Sequence, residues 1–321
     1  MALIILNIIG CTNKAADYPP APQPESVLPI DTSNAIANRY PDDSGIENDT
    51  NVLFVEKFDD GMVNLAARYT DVYNAEGMSP DDDVVANIPG NSSLKMTNIG
   101  GQNTGGHLFR NFPEAFDSVF FRYYVKYPAV SKGFIHHQGI WFGGYHPSTD
   151  YPNPRAGTCG LGNSRISIAY EPVNDMMGSY LYWGDMQGDP NGNCWGSDMV
   201  NASVSAQKIT WDQWTCVEIM IRLNNPVSDY NGELKIWQNG TEVGHWGPGF
   251  PNGSMLYGKF RAGGNVPFKG FRWRTDENLK INYIWIEFYD DKSPAGVSHY
   301  IKFDNLVIAK KYIGPIKKSN H

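Results

Sequence analysis

The chain has 321 residues, 41% hydrophobic and 19% charged, which is enough apolar sequence for one large core. The formal net charge is −8 and lysine and arginine form no cluster, so a nucleic-acid partner is not expected. The 33 glycines and 21 prolines are spread along the chain, which excludes collagen-like repeats and wholesale disorder. Nine tryptophans and 18 tyrosines favour a β core, with a surplus of rings that can stack on flat ligands.

The N-terminal residues predict export. Residues 1–11 form a short apolar run that ends in Ile-Ile-Gly-Cys and resembles a bacterial lipoprotein signal, in which Cys11 is acylated. The alternative is an ordinary secretory signal with a chance cysteine. Either interpretation predicts export to the bacterial cell surface or the periplasm, and the first adds a lipid anchor as the only membrane contact. Residues 12–50 are rich in Pro, Asp, Asn and Ser without periodicity, which predicts a disordered tether.

Export makes the remaining cysteines informative. Cys159 and Cys194 lie in Gly- and Asn-rich loop sequence, and we expect them to form a disulfide, as exported proteins commonly do. Cys216 lies in the apolar run Trp-Thr-Cys-Val-Glu-Ile-Met-Ile and is expected to be a buried thiol. The chain has no Cys-x-x-Cys and no His-Glu-x-x-His motif, so a zinc site is not expected.

Short alternating or apolar runs recur between turn signals such as Asn-Gly and Asp-Gly, and helical periodicity is weak except around Met62–Tyr69. This pattern predicts an all-β fold, a two-sheet antiparallel jelly roll, as one domain over residues 51–315 with a C-terminal tail at 316–321. The predicted strands are Val52–Phe58, Ser93–Met96, Ser118–Tyr127, Gly139–Phe142, Arg165–Tyr170, Tyr180–Trp183, Thr215–Leu223, Gly232–Gln238, Phe271–Arg274, Ile281–Tyr289 and Tyr300–Ala309.

Several segments resemble the concanavalin A-like, jelly-roll polysaccharide lyases of families 14 and 20, which cleave alginate and glucuronan. They are SVFFRYYVKY (118–127) with HHQGIWFGG (136–144), Ser164-Arg165 with Tyr180-Leu-Tyr182, and the stretches 214–240 and 303–315. The resemblance implies an acidic polysaccharide as partner, cleavage by β-elimination, and no organic cofactor. This chain has His136-His137-Gln138 where a lysine is expected, which leaves the identity of the base open.

The chemistry of β-elimination selects candidate catalytic residues. Removing the C5 proton of a uronate and expelling the 4-linked oxygen requires a group that neutralises the carboxylate, a base and an acid. Alternate residues of a strand share a face, so Tyr180 and Tyr182 project together and can supply base and acid. Arg165 is predicted to neutralise the carboxylate. His136 and His137 are expected on opposite faces, so only one of them should line the cleft.

Further residues are predicted to contact the sugar chain. Arg122 lies between Phe121 and Tyr123, a placement that suits a face lining a groove, and aromatic rings stack on sugars. The predicted substrate-binding residues are Arg122, Gln138, Trp141, Tyr145 and Trp183. The protein is expected to act as a monomer.

A structural calcium ion is a separate expectation. Glu56 on the first strand and Asp304 on the last supply hard oxygen ligands, which suit Ca²⁺ at the closure of a jelly roll. The alternative is that both carboxylates form ion pairs or cap turns.

Two other functions remain open on the sequence alone. A non-catalytic carbohydrate-binding lipoprotein needs only an aromatic platform, for which Trp141, Trp183, Trp195 and Tyr182 are candidates. A glycoside hydrolase needs paired carboxylates, and the strand that carries Glu287 continues only into a turn with two aspartates. The hydrolase is therefore the third interpretation.

Overall fold

The computed structural model describes residues 32–86, 88–133, 136–173, 175–199 and 207–319. The predicted signal segment, the lipidation site at Cys11 and the first part of the predicted tether lie outside these ranges, so export and lipidation stay predictions. None of the helices in the described ranges has the length and apolar character needed to cross a bilayer.

β-Strands are the main regular structure of the described residues. The strands are β1 (Val52–Glu56), β2 (Asp71–Tyr73), β3 (Met78–Asp81), β4 (Ser93–Ile99), β5 (Gly105–Phe116), β6 (Ser118–Lys126), β7 (His137–Tyr145), β8 (Arg165–Val173), β9 (Met176–Tyr182), β10 (Ser197–Asp198), β11 (Trp214–Arg222), β12 (Glu233–Gln238), β13 (Thr241–Trp246), β14 (Asn252–Leu256), β15 (Lys259–Pro267), β16 (Ile281–Tyr289) and β17 (Ser298–Ala309). One α-helix, α1, covers Gly61–Ala67. Short 3₁₀ turns occur at Thr32–Asn34, Ile36–Arg39, Pro41–Asp43, Ile46–Asn48, Ala75–Gly77 and Ala129–Ser131.

The strands form a two-sheet sandwich, which confirms the predicted fold class. The back sheet has the order β13-β12-β11-β6-β17-β4-β3, with β1 paired to β17. The front sheet has the order β14-β15-β10-β9-β8-β7-β16-β5-β2. All strand pairs between these elements are antiparallel except β10 with β15. Each sheet combines hairpin neighbours, such as β11 with β12, with strands that are far apart in sequence, such as β6 with β17, as is usual for a jelly roll.

Ten of the eleven predicted runs coincide with strands, and one does not. Phe271–Arg274 contributes an isolated bridge between Phe271 and Gly232, and Phe271 and Trp273 are buried in the core. Strand β15 has no counterpart among the predicted runs, since its sequence, Lys-Phe-Arg-Ala-Gly-Gly-Asn-Val-Pro, is exposed and lacks apolar alternation.

The core lies between the two sheets. Phe121 of the back sheet stacks on Phe142 of the front sheet with ring centroids 4.9 Å apart. The Tyr123 hydroxyl donates to the Tyr170 carbonyl oxygen at 2.9 Å, so a buried phenol also finds a partner across the gap. Alternate residues on each strand therefore face inward, and the residues between them form two outer faces.

The chain termini cover the outer face of the back sheet, which corrects the predicted domain limits of 51 and 315. Ile36 and Ile46 are buried against β17 and the residues that follow it. The Ile316 N–H donates to the Tyr124 hydroxyl at 2.7 Å. The described residues from 35 to 50, predicted as tether, thus belong to the packed domain. Isolated apolar residues in 3₁₀ turns leave no periodic pattern, and the sequence therefore resembles a linker.

Candidate active site

The outer face of the front sheet carries an open groove of about 480 Å³. It extends over strands β9, β7 and β16. The side chains that these strands contribute to the groove are aromatic or titratable. It is lined by His136, His137, Trp141, Pro154, Ala156, Tyr180, Tyr182, Trp195, Trp285, Glu287 and Tyr289. Apolar rings and a few convergent polar groups are the usual composition of a ligand site.

Glycine on the central strand makes room for the polar groups. Gly139 of β7 lies directly opposite Glu287 of β16. On its other side, a Cβ placed at Gly139 would lie 3.3 Å from the Cβ of Glu171 on β8. The carboxyl groups of Glu171 and Glu287 therefore lie on either side of Gly139. His137 is two residues before Gly139 on the same face of β7.

His137 and Glu171 form a hydrogen-bonded pair on the groove floor. The distance from His137 Nδ1 to Glu171 Oε1 is 2.8 Å, and the glutamate is only 3% exposed. Burial lowers the pKa of His137, but the Glu171 carboxylate outweighs it and raises that pKa to about 9. His137 is therefore an imidazolium at neutral pH, with Nδ1–H donated to Glu171 and Nε2–H left for a ligand.

His136 also lines the groove, contrary to the expectation that only one histidine would. Strand β7 begins at His137, so His136 precedes the strand and does not follow its alternation. Its ring stacks on the His137 ring with centroids 4.5 Å apart, and its Nδ1 lies 2.9 Å from Asp291 Oδ1. Burial and the neighbouring imidazolium lower the pKa of His136, which is therefore neutral beside a charged His137.

Tyr180 and Tyr182 share one face and one groove, as the strand spacing predicts. Their ring centroids are 5.8 Å apart, and the Tyr180 ring lies 5.3 Å from the His137 ring. Burial raises the pKa of both phenols. The Arg165 guanidinium opposes this at Tyr182, whereas the Tyr182 hydroxyl raises the pKa of Tyr180 further. Tyr182 is thus the phenol more readily deprotonated.

Arg165 lies behind Tyr182, not on the groove surface. Its guanidinium carbon is 4.1 Å from the centroid of the Tyr182 ring, and its Nη2 donates to the Thr158 carbonyl oxygen at 3.4 Å. It forms no ion pair with a carboxylate in the described ranges, and its Nη1 has no hydrogen-bond partner there. Burial lowers the pKa of this guanidinium. Arg165 therefore acts on the groove as an uncompensated positive charge beneath a phenol.

Glu287 is the groove residue that sequence reasoning passed over. Burial is the main cause that raises its pKa to about 8; the Glu171 charge adds to the rise and the His137 charge opposes it. At neutral pH the floor thus holds an imidazolium at His137 and a carboxylic acid at Glu287. The signal was present in the sequence, because Glu171 has the same strand parity as Arg165, and Glu287 the same parity as Trp285 and Tyr289.

Three predicted binding residues face away from the groove. Arg122 is on the outer face of the back sheet, fully buried and paired with Asp43. Gln138 is fully buried and points from β7 into the sandwich. The Trp183 indole N–H donates to Ser197 Oγ at 3.0 Å, and the ring packs in the core. Alternation on a strand separates two faces, but it does not say which one meets the ligand.

Two other predicted binding residues do lie on the groove face. Trp141 forms the floor, with its ring 5.7 Å from that of Tyr180 and 5.9 Å from that of Trp285. Tyr145 is on the same face of β7 but beyond the groove, where its ring stacks on Tyr283 at 4.7 Å. Its hydroxyl accepts the Asn153 N–H at 3.1 Å, so Tyr145 anchors the loop beside the groove.

The predicted disulfide is confirmed and helps to build one wall of the groove. Cys159 and Cys194 are joined, with Cα atoms 4.7 Å apart at a sequence separation of 35 residues. The bond fixes the position of the neighbouring Trp195, whose ring is 55% exposed and packs over Gly157. Cys216 is a buried free thiol, as expected.

The residues predicted to bind calcium do not fit a metal ion. Both oxygens of Glu56 accept hydrogen bonds from Arg68, at 2.7 and 2.9 Å. Asp304 accepts the Val85 N–H at 2.8 Å, and burial raises its pKa to about 7. Within the described ranges, His, Cys, Asp and Glu nowhere gather in groups of three or more suited to a metal. The alternative given for these carboxylates, ion pairing and turn stabilisation, describes them better.

Comparison with known proteins places the fold. No protein-family model matches the chain, and no curated protein matches it significantly. Among solved structures, the chain is similar to alginate lyase Aly36B, at 17% identity over 83% of this chain and 98% of that one, with a TM-score of 0.51. It is also similar to alginate lyase vAL-1 from Chlorella virus (17%, 82% and 100%, TM-score 0.50) and to the marine PL-14 alginate lyase from Aplysia kurodai (12%, 80% and 98%, TM-score 0.52). The chain therefore has the jelly-roll fold of these polysaccharide lyases.

Proposed function

We propose that the protein is a lyase that cleaves a uronic-acid-containing polysaccharide, of the alginate or glucuronan type, by β-elimination. The observation that carries the proposal is the convergence of His137, Tyr180 and Tyr182 in one open groove. A charged imidazolium beside two phenols matches what the reaction requires, namely a neutraliser, a base and an acid. The fold shared with alginate lyases supports the same conclusion.

The first requirement is to make the C5 proton acidic. We assign this role to His137, whose Nε2–H is free to donate to the substrate carboxylate while Glu171 holds Nδ1–H at 2.8 Å. A charge-assisted hydrogen bond in a partly buried groove stabilises the enolate-like charge that develops on the carboxylate. Glu287, uncharged at neutral pH, does not repel a polyanionic chain.

The second requirement is proton transfer at two places. Tyr182, above the Arg165 guanidinium, is the better base: once it has lost its own proton to solvent, the phenolate takes the C5 proton. The electron pair of the C5–H bond forms the C4–C5 double bond, and the bond from C4 to the linking oxygen breaks. Tyr180 keeps its proton more firmly and donates it to that leaving oxygen. Proton balance is restored when the two phenols exchange a proton through solvent.

The test is the substitution Tyr182→Phe, assayed by the ultraviolet absorbance of the unsaturated product over a panel of polyuronates. Removing a base that acts in the transition state should lower kcat by about 10²- to 10⁴-fold and leave polymer binding largely intact. Tyr73→Phe is the matched control, because Tyr73 is an exposed phenol on β2 of the same sheet. An elimination rate in Tyr182→Phe equal to that of the control contradicts the proposal.

A non-catalytic carbohydrate-binding role is the second candidate, and one observation favours it. Trp195 exposes 55% of its surface at the groove wall, and Trp141 lies below it on the floor. Such rings can hold a sugar chain without chemistry. A wild-type protein that binds polyuronate and releases no unsaturated product would favour this role over the lyase.

The structure removes one argument against a glycoside hydrolase, but it supplies another. Paired carboxylates do exist, because Glu171 and Glu287 flank Gly139 from two strands. Glu171, however, is 3% exposed and hydrogen-bonded to His137, so it cannot reach a sugar carbon as a nucleophile or activate a water molecule on the far face of a ring.

A further inference from the structure

The β14–β15 hairpin lies beside the groove, at the edge of the front sheet. Asp198 of β10 pairs with Tyr180 on one side and with Lys259 of β15 on the other. Lys259 is therefore in the same row as Tyr180, two strands away, which corresponds to about 10 Å. The sheet places a cation within a short distance of the proposed acid.

The hairpin presents its basic residues on the groove side of the sheet. Phe260 is buried and packs against Phe268 and Trp246 in the core. Lys259 and Arg261, on either side of Phe260 in sequence, must then project from the opposite face, which is the face that carries Tyr180. Both residues are exposed.

Backbone contacts connect the hairpin tip to the groove wall. The Asp198 N–H donates to the Gly258 carbonyl oxygen at 2.7 Å. Gly196, two residues before Asp198, lies against the Tyr180 ring, since a Cβ there would be 2.3 Å from Tyr180 Cζ. One continuous surface thus runs from the hairpin turn, over the loop that carries Trp195, to the ring of Tyr180.

The hairpin carries two basic residues, and the neighbouring strand contributes one carboxylate, Asp198, in the position paired with Lys259. Several cations elsewhere pair with carboxylates, as Arg68 does with Glu56, and Lys302 with two aspartates. Lys259 and Arg261 form no ion pair with any described residue, although the chain has 34 acidic residues against 26 lysines and arginines. Two like charges on alternate residues of one strand repel each other, and an anionic ligand relieves that repulsion.

We propose that Lys259 and Arg261 form a distal subsite that binds the carboxylates of a polyuronate chain extending out of the groove. The inference rests on the proposed function, because it assumes that the groove binds an acidic polysaccharide. A linked uronate chain carries one carboxylate on every ring, so a chain longer than the groove brings further carboxylates to the hairpin. Tyr257, 59% exposed at the turn, adds a ring on which a sugar can stack.

The test compares two double variants with the same change in charge. Lys259→Ala with Arg261→Ala removes the subsite, and Lys310→Ala with Lys311→Ala removes two exposed lysines that follow β17 of the back sheet. Two exposed charge contacts predict a rise of about fivefold in KM for long polyuronate with kcat unchanged, and no change in KM for a trimer that fills only the groove. The Lys310/Lys311 variant should behave as wild type on both substrates.

Binding measured without turnover separates this inference from the proposed function. In electrophoresis through a gel that contains polyuronate, the hairpin variant should be retarded less than wild type. A variant that combines Lys259→Arg with Arg261→Lys should be retarded as wild type is. Equal KM and equal retardation for the two alanine variants would overturn the subsite and leave the lyase proposal standing. Weaker retardation of the hairpin variant, with no unsaturated product from wild type, would overturn the lyase and keep the subsite. A wild-type protein that is not retarded at all overturns both.

Discussion

The two outer faces of the sandwich carry similar side chains, but the described chain covers only one of them. On the back sheet, Arg122 pairs with Asp43 from the N-terminal segment. Glu218, beside Arg122 in the sheet, accepts the N–H groups of Ile313 and Gly314 at 2.7 and 2.8 Å. Every charge named here finds its partner in the termini that cross this face.

The front sheet leaves comparable groups open. Arg165 lacks a carboxylate partner in the described ranges, and His137 has satisfied only one of its two N–H groups. A buried cation without a counter-ion is costly. The comparison indicates that the covered face contributes to stability, whereas the open face keeps charged groups that the described chain does not pair.

The largest effect should come from breaking the covered face. Asp43→Asn leaves Arg122 buried without its counter-ion and should lower the free energy of unfolding by about 3–5 kcal/mol, measured by urea denaturation. Glu47→Gln is the control, because Glu47 is half exposed in its pair with Lys57 and should change stability by less than about 1 kcal/mol. Equal effects of the two substitutions would remove the contrast between the faces.

The open face should show its titrating groups in the pH dependence of stability. The pKa of Glu287 rises from 4.5 to about 8 on folding, so the folded state holds a proton that the unfolded state releases. The stabilisation that this bound proton gives to the folded state is therefore lost as pH rises from about 4.5 to 8. Glu287→Gln should gain about 3–4 kcal/mol relative to wild type between pH 5 and 8. Exposed Glu242→Gln should track wild type, and a parallel course of all three curves would contradict the shift.

The smallest effect on stability should occur at Gly196, where the open face depends on a missing side chain. Gly196 has φ of +97°, and a Cβ there would overlap the Tyr180 ring. Gly196→Ala should cost about 1–2 kcal/mol in stability and displace the ring, so kcat falls while the protein stays folded. Gly192→Ala is matched, with φ of +83° and open space around it. Equal elimination rates for the two variants would show that the Tyr180 position is not critical.

Much of this protein follows from its sequence. Alternating runs between Asn-Gly and Asp-Gly turns predict a β-sandwich, because a period of two suits only strands. The spacing of Tyr180 and Tyr182 places both rings on one face, and the structure has them in one groove. Cys159 and Cys194 in flexible loop sequence predict the disulfide that is present. Each of these features depends on local geometry.

Tertiary structure alone decided which face of each strand meets the ligand. Strand β8 is buried along nearly its whole length, so apolar alternation does not separate its groove side from its core side. Strand β6 is likewise buried over most of its length, so Arg122 fits a groove by pattern yet lies on the other sheet, and Trp183, which follows β9, packs in the core. The Glu171 and Glu287 pair arises from strands β8 and β16, which are remote in sequence and flank β7 only in the folded sheet. Register between distant strands depends on the packing of the whole sandwich, which no local pattern encodes.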